Sequence, residues 1–146
     1  MKKYCGFTLP EVLITLTLAS LLFLLAVPSF SYLRHRQQIN YISYALQQSI
    51  AYARLQAVVR YETILIIPQE EDWQKGWHIA LKKNNLILRN FPPMPLKIIF
   101  SSGHNNIQIM SNGMTEGHQC HFKYGDIKLV LNRGGRTYIE TEKPSL

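Results

Sequence analysis

An α+β fold is predicted for this chain: one long N-terminal helix, apolar in its first half, packed on a C-terminal antiparallel β domain. Three observations carry the prediction. Residues 7–27 form an apolar run in which Glu11 is the only ionisable side chain. Helical periodicity then continues to about residue 61. After Glu62 the pattern changes to short β-rich runs divided by turn-forming residues.

The apolar run comes first in the chain. Phe7 to Val27 would measure about 31 Å as a helix, enough to cross a bilayer core of roughly 30 Å. Lys2 and Lys3 precede it and no acidic residue does, so the positive-inside bias keeps the N-terminus cytoplasmic and sends the chain beyond Val27 across the membrane. A carboxylate in hydrocarbon costs about 2.5–3.5 kcal/mol on insertion scales. Glu11 therefore calls for a partner, and none is expected within its own helix. A cleaved secretory signal would have a shorter core and a small-x-small site, which neither Ala19-Ser20-Leu21 nor Ala26-Val27-Pro28 supplies. A plain signal anchor fits the length but leaves Glu11, and Gly6 at the junction, without a reason.

Pro28 ends or kinks this first stretch, and periodicity resumes beyond it. Ile39, Ile42, Leu46, Ile50, Ala53 and Ala57 recur at steps of three and four and mark one apolar face. Gln37, Gln38, Asn40, Ser43, Gln47, Gln48 and Arg54 supply polar positions around it. A single helix from about Thr8 to Tyr61 is therefore expected, its second half laid on a sheet.

The strand-like runs are Thr63–Ile67, Trp77–Lys82, Leu86–Phe91, Lys97–Phe100, Ile107–Met110, His121–Tyr124, Lys128–Asn132 and Thr137–Thr141. Lys83-Asn84-Asn85, Pro92-Pro93, Asn112-Gly113, Gly125-Asp126 and Gly134-Gly135 separate them as turns. Antiparallel meanders or two small sheets on the helix are expected. Glu70-Glu71-Asp72 reads as a solvated loop. Trp77 reads as an anchor of the first hairpin against the helix, whereas the role of Trp73 is open. Lys143 to Leu146 should be a loose tail.

The chain carries 16 basic and 9 acidic side chains, a net +7. Beyond Pro28 the count is 14 against 8, or +6, in under 120 residues, which suits one compact core. Such an excess favours an anionic partner, nucleic acid or lipid headgroups, or serves solubility alone. His118-Gln119-Cys120-His121 invites a metal reading, but strand alternation puts Cys120 on the face opposite its histidine neighbours. A partly buried free thiol is the better account, and no metal or cofactor is expected. No Gly-x-Ser-x-Gly, Walker loop or His with an acidic orienter is present. The chain is not expected to be an enzyme.

The stretch Lys2-Lys3-Tyr4-Cys5-Gly6-Phe7-Thr8-Leu9-Pro10-Glu11-Val12-Leu13-Ile14 resembles the leader and cleavage motif of type IV pilins and type II secretion pseudopilins. The resemblance implies a leader at 1–6, a transmembrane helix segment at 7–28 and a periplasmic pilin-like domain at 29–146. A prepilin peptidase would cut after Gly6 and methylate the new amine of Phe7. Glu11 matches the acidic position thought to pair with the N-terminal amine of a neighbouring subunit. Cys5 leaves with the leader, so Cys120 would stand alone. Trp73-Gln74-Lys75-Gly76-Trp77 and the ending Ile127 to Arg136 narrow the resemblance to the minor pseudopilins of the GspH/FimT family. The partners implied are other pilins or pseudopilins, the prepilin peptidase and the inner membrane.

That family includes a minor pilin implicated in capturing DNA during natural transformation, with basic residues near its C-terminus. The matching candidates here are Arg133 and Arg136 around Gly134-Gly135, with Lys128, Tyr138 and Lys143 nearby. Glycine flexibility and nearby amides suit a phosphate, Arg can fork onto its oxygens, and Tyr138 offers a stacking face. Binding to double-stranded DNA would be non-specific and salt-sensitive. The Gly-Arg-x-Arg pattern of DNA-binding members departs here, since Gly135-Arg136-Thr137 is followed by Tyr138. Three functions stay in play: a minor pilin that binds DNA, a structural pseudopilin of type II secretion, and an anchored binding domain that never assembles.

Overall fold

The computed structural model of the chain describes residues 8–102, 105–117 and 119–141, with the side chains of 25–29 and of 141 outside that set. The chain divides into two compact units, residues 1–37 and 38–146.

Helix α1 (Leu9–Arg60) starts at Thr8 for a local reason. The Thr8 amide and hydroxyl both donate to the Glu11 carboxylate at 3.3 Å, and the amides of Glu11 and Val12 donate to the Thr8 carbonyl. This Thr-x-x-Glu arrangement satisfies part of the open helix end and places a negative charge at its positive pole. It corrects one expectation, because Glu11 does have a partner within its own helix. The helix continues through Pro28 without ending there. Its large apolar side chains from Leu9 to Leu24 are exposed. Among the described residues no helix is long and apolar enough to cross a membrane; the run read from the sequence extends to Val27, across side chains outside the described set.

In the second unit the periodic face works as expected. Ile39, Ile42, Leu46, Ile50, Ala53 and Ala57 are all buried and share one core with the strands. Ser43 departs from the polar face: it is buried, and its hydroxyl lies 2.8 Å from the Tyr124 hydroxyl. That bond ties the helix to a strand through the core, and burial pushes the Tyr124 phenol above its ordinary pKa against the opposing effect of Ser43.

Among the described residues eight strands come after the helix: β1 (Ile64–Gln69), β2 (Asp72–Leu81), β3 (Ile87–Phe91), β4 (Ile99–Ser101), β5 (Ile107–Ile109), β6 (Cys120–Tyr124), β7 (Ile127–Leu131) and β8 (Thr137–Thr141). They form two four-stranded sheets, in the orders β3-β2-β1-β5 and β4-β6-β7-β8, with every pairing antiparallel. The largest departure from the expected boundaries is β2, which begins at Asp72 and carries both tryptophans. Glu70 and Glu71 are accordingly the two central residues of a tight hairpin turn, with φ of 48° and 63°. Mirror-image turns of this kind match strand twist and normally favour Asn-Gly. A pair of glutamates carries no local signal for such a turn.

Trp73 packs inward and joins the two sheets. Its ring centroid lies 5.8 Å from that of Trp77, 4.9 Å from Phe100 and 4.8 Å from Phe122, while Trp77 stacks on Phe91 at 5.3 Å. Gly76 between the tryptophans has φ +96°, and a Cβ there would overlap the Phe91 carbonyl oxygen. The Trp-x-x-Gly-Trp spacing thus lets β2 lie close against the end of β3 while both indoles face the core.

Candidate nucleic-acid interface

The β7–β8 connection, Asn132 to Arg136, is built around one side chain. The Asn132 Oδ1 accepts the Arg136 amide at 2.9 Å. The Asn132 carbonyl accepts the Gly135 amide at 2.9 Å, and its amide donates to the Arg136 carbonyl at 3.0 Å. Gly135 has φ +72° and is buried, with a would-be Cβ only 2.7 Å from the Gly113 carbonyl oxygen. A glycine is required there both by conformation and by space.

The loop of residues 110–117 docks on this turn. Thr115 is buried; its amide donates to the Arg133 carbonyl at 3.0 Å and its hydroxyl to the Asn132 carbonyl at 3.0 Å. The expected Asn112-Gly113 turn is present: Gly113 has φ +77°, and Asn112 Oδ1 accepts the Met114 amide. Beside the turn lies a groove of about 520 Å³ lined by Gly117, Gln119, Asn132, Arg133 and Tyr138. None of these five residues is acidic.

The sequence-predicted candidates separate into three groups. Arg133 and Tyr138 line the same groove and Arg136 ends the same turn, all three exposed, with the Tyr138 hydroxyl 2.6 Å from Gln119 Nε2. Lys128 is not brought to the turn. It sits opposite Glu140, 3.6 Å from its carboxylate and three residue pairs from the Leu131–Thr137 pair, about 10 Å along the strand. Gly6, Phe7 and Lys143 lie outside the described residues, as does His118. The amides need a correction: those of Gly135 and Arg136 donate to Asn132 and are not open to a phosphate. Cys120 is buried on the core face with Phe122, and His121 is on the other face. Among the described residues no group of three or more His, Cys, Asp or Glu side chains converges.

One cation was missed by sequence reasoning. Arg54 of α1 passes alongside both loop glycines: a Cβ on Gly113 would lie 3.0 Å from its Nε, and one on Gly135 3.5 Å from its Cδ and Cζ. On the sequence Arg54 was one polar position of a helix, with nothing to tie it to a turn about eighty residues later. Its place beside the periodic face, four residues after Ile50 and three before Ala57, was the available signal.

Comparison with known proteins fits this architecture. Residues 1–27 match the prokaryotic N-terminal methylation motif, and residues 44–138 match the family described as type II transport protein GspH. Two crystal structures of the type IV minor pilin FimU of Pseudomonas aeruginosa share the fold. One aligns at TM-score 0.64 and 20% identity over 73% of this chain and 91% of FimU, the other at 0.60 and 22% over 70% and 93%. No curated protein matches the chain. With the family match running from the last third of α1 to the start of β8, the chain belongs to the GspH family of type II transport proteins and carries a pilin-like fold behind an N-terminal methylation motif.

Proposed function

We propose that this protein is a minor pilin that enters a pilus from the inner membrane and binds double-stranded DNA non-specifically during uptake, as in natural transformation. In this reading the leader 1–6 is removed after Gly6, Phe7 becomes the methylated N-terminus, and residues 7–28 hold the chain in the membrane with 29–146 in the periplasm. Glu11 caps its own helix in the isolated chain and meets a neighbouring subunit's amine in the fibre. Replacing Glu11 by Ala is expected to leave membrane insertion intact and prevent incorporation into pili; wild-type incorporation would remove the pairing role.

The observation that carries the DNA reading is the Arg133–Arg136 turn beside a groove whose described lining residues include no Asp or Glu. The test is retention of labelled duplex DNA by the full chain in detergent across a salt series. Each phosphate neutralised contributes about −0.9 to the slope of log affinity against log salt. Replacing Arg133 and Arg136 together by Gln should reduce that slope by about two; unchanged affinity and slope would dismiss the turn. The family match favours a second reading, a minor pseudopilin with a structural role in a type II secretion fibre. Normal DNA uptake but lost protein secretion in a deletion strain would favour it over the first.

A further inference from the structure

The described cations differ in what they face. Lys75, Lys82, Lys83 and Lys128 each pair with a carboxylate. Arg34, Arg36 and Arg89 lie over aromatic rings, and Arg60 donates to Gln56. The side chains of Arg54, Arg133 and Arg136 form no ion pair or side-chain hydrogen bond among the described residues. Arg54 runs beside Gly113 and Gly135, and Gly135 belongs to the turn whose flanks carry Arg133 and Arg136.

The placement of Arg54 against the turn is built by specific features. Gly113 and Gly135 both adopt positive φ, and Arg54 lies against both: a Cβ on Gly113 would crowd its Nε at 3.0 Å, and one on Gly135 would touch its Cδ and Cζ at 3.5 Å. The Gly113 carbonyl and the Gly135 Cα approach so closely that the two loops form one surface over the helix. Arg54 Cγ lies 3.3 Å from the would-be Gly113 Cβ, so the stem is held against the loops while the residue as a whole remains exposed. A guanidinium held by its stem loses less side-chain freedom when it grips an anion. A cation on the helix and two on the adjoining turn, none in an ion pair among the described residues, suit a ligand whose anionic groups are spaced along a chain rather than a single small anion.

We propose that Arg54 is the third phosphate-gripping guanidinium of the Arg133–Arg136 surface, placed there by Gly113 and Gly135, and that the ligand is a nucleic-acid backbone. This rests on the DNA reading above and adds a residue from a different element. It also makes the helix, and not the C-terminal turn alone, part of the binding surface.

The experiment compares the full chain in detergent with Arg54→Met, Arg54→Lys and the Arg133/Arg136 double Gln variant, using a labelled duplex of arbitrary sequence across a salt series, with melting temperature as a second readout. Arg54→Met keeps an apolar stem and removes the charge, so the slope should fall by about one and low-salt affinity roughly tenfold. Arg54→Lys should restore the slope while recovering only part of the affinity, since the fork is lost. Wild-type slope and affinity in Arg54→Met, with loss in the double variant, would overturn the role of Arg54 and leave the turn standing. Equal loss in the Met and Lys variants with a lowered melting temperature would assign Arg54 to packing and likewise overturn it. A wild-type chain that retains no DNA would overturn the DNA reading and this inference together.

Discussion

The Trp73–Trp77 segment and the Arg133–Arg136 turn both depend on a glycine that no other residue can replace without strain, yet they face opposite ways. Gly76 and Gly135 each combine positive φ with a backbone oxygen where a Cβ would go. Around Gly76 the space saved brings β2 against β3, and two indoles turn into an aromatic cluster that reaches Phe122 on the other sheet. Around Gly135 the space saved brings two loops and a helix arginine together, and the charged side chains stay outside. The same local device thus serves cohesion in one region and display in the other. What decides between them is the neighbouring side chains: tryptophans gain from burial, whereas guanidiniums are costly to bury unpaired.

That contrast can be broken from either side. Trp77→Ala should have the largest effect, destabilising by about 3–5 kcal/mol because a fully buried indole leaves a cavity beside Trp73 and Phe91. Denaturant unfolding would measure it; a loss below about 1 kcal/mol would mean that the aromatic cluster is not the main support of the two-sheet arrangement. Gly135→Ala should come next, at about 1–3 kcal/mol from the φ penalty and the displaced Gly113 carbonyl. It should also reduce DNA retention by moving the loop that holds Arg54, and full stability with full retention would show that the two loops need no close approach. The smallest effect on folding belongs to the Arg133/Arg136 double Gln variant. Exposed residues without ion pairs should shift stability by no more than about 0.5 kcal/mol, and a larger drop would move the arginines to the cohesive side of the comparison.

Much of the fold was legible because its determinants are local. The helical face from Ile39 to Ala57 repeats at the helical period, and the strand positions come from runs of β-branched and aromatic residues between turn formers. The left-handed glutamates at the β1–β2 turn were not legible, because register between two strands and the inward demand of Trp73 impose that conformation against the residues' own preference. The Thr8–Glu11 cap was present as a short pattern, but the charge of Glu11 in an apolar run drew the reading towards a distant partner instead. In the candidate site, Arg133, Arg136 and Tyr138 could be named from a glycine turn with flanking cations. Lys128 could not be excluded without the register that sets it opposite Glu140.

Composition and spacing within a few residues were enough to specify the helix with its apolar first half, the switch to strands, the pilin-like N-terminal motif and the basic C-terminal turn. Three other features needed the folded chain: Trp73 joining two sheets, Asn132 engaging the turn's amides with Gly113 close by, and Arg54 meeting Gly113 and Gly135. The first and last are contacts between segments far apart in the chain, and the turn takes its place through the docked loop of residues 110–117. Packing geometry fixes them, and no local pattern encodes it.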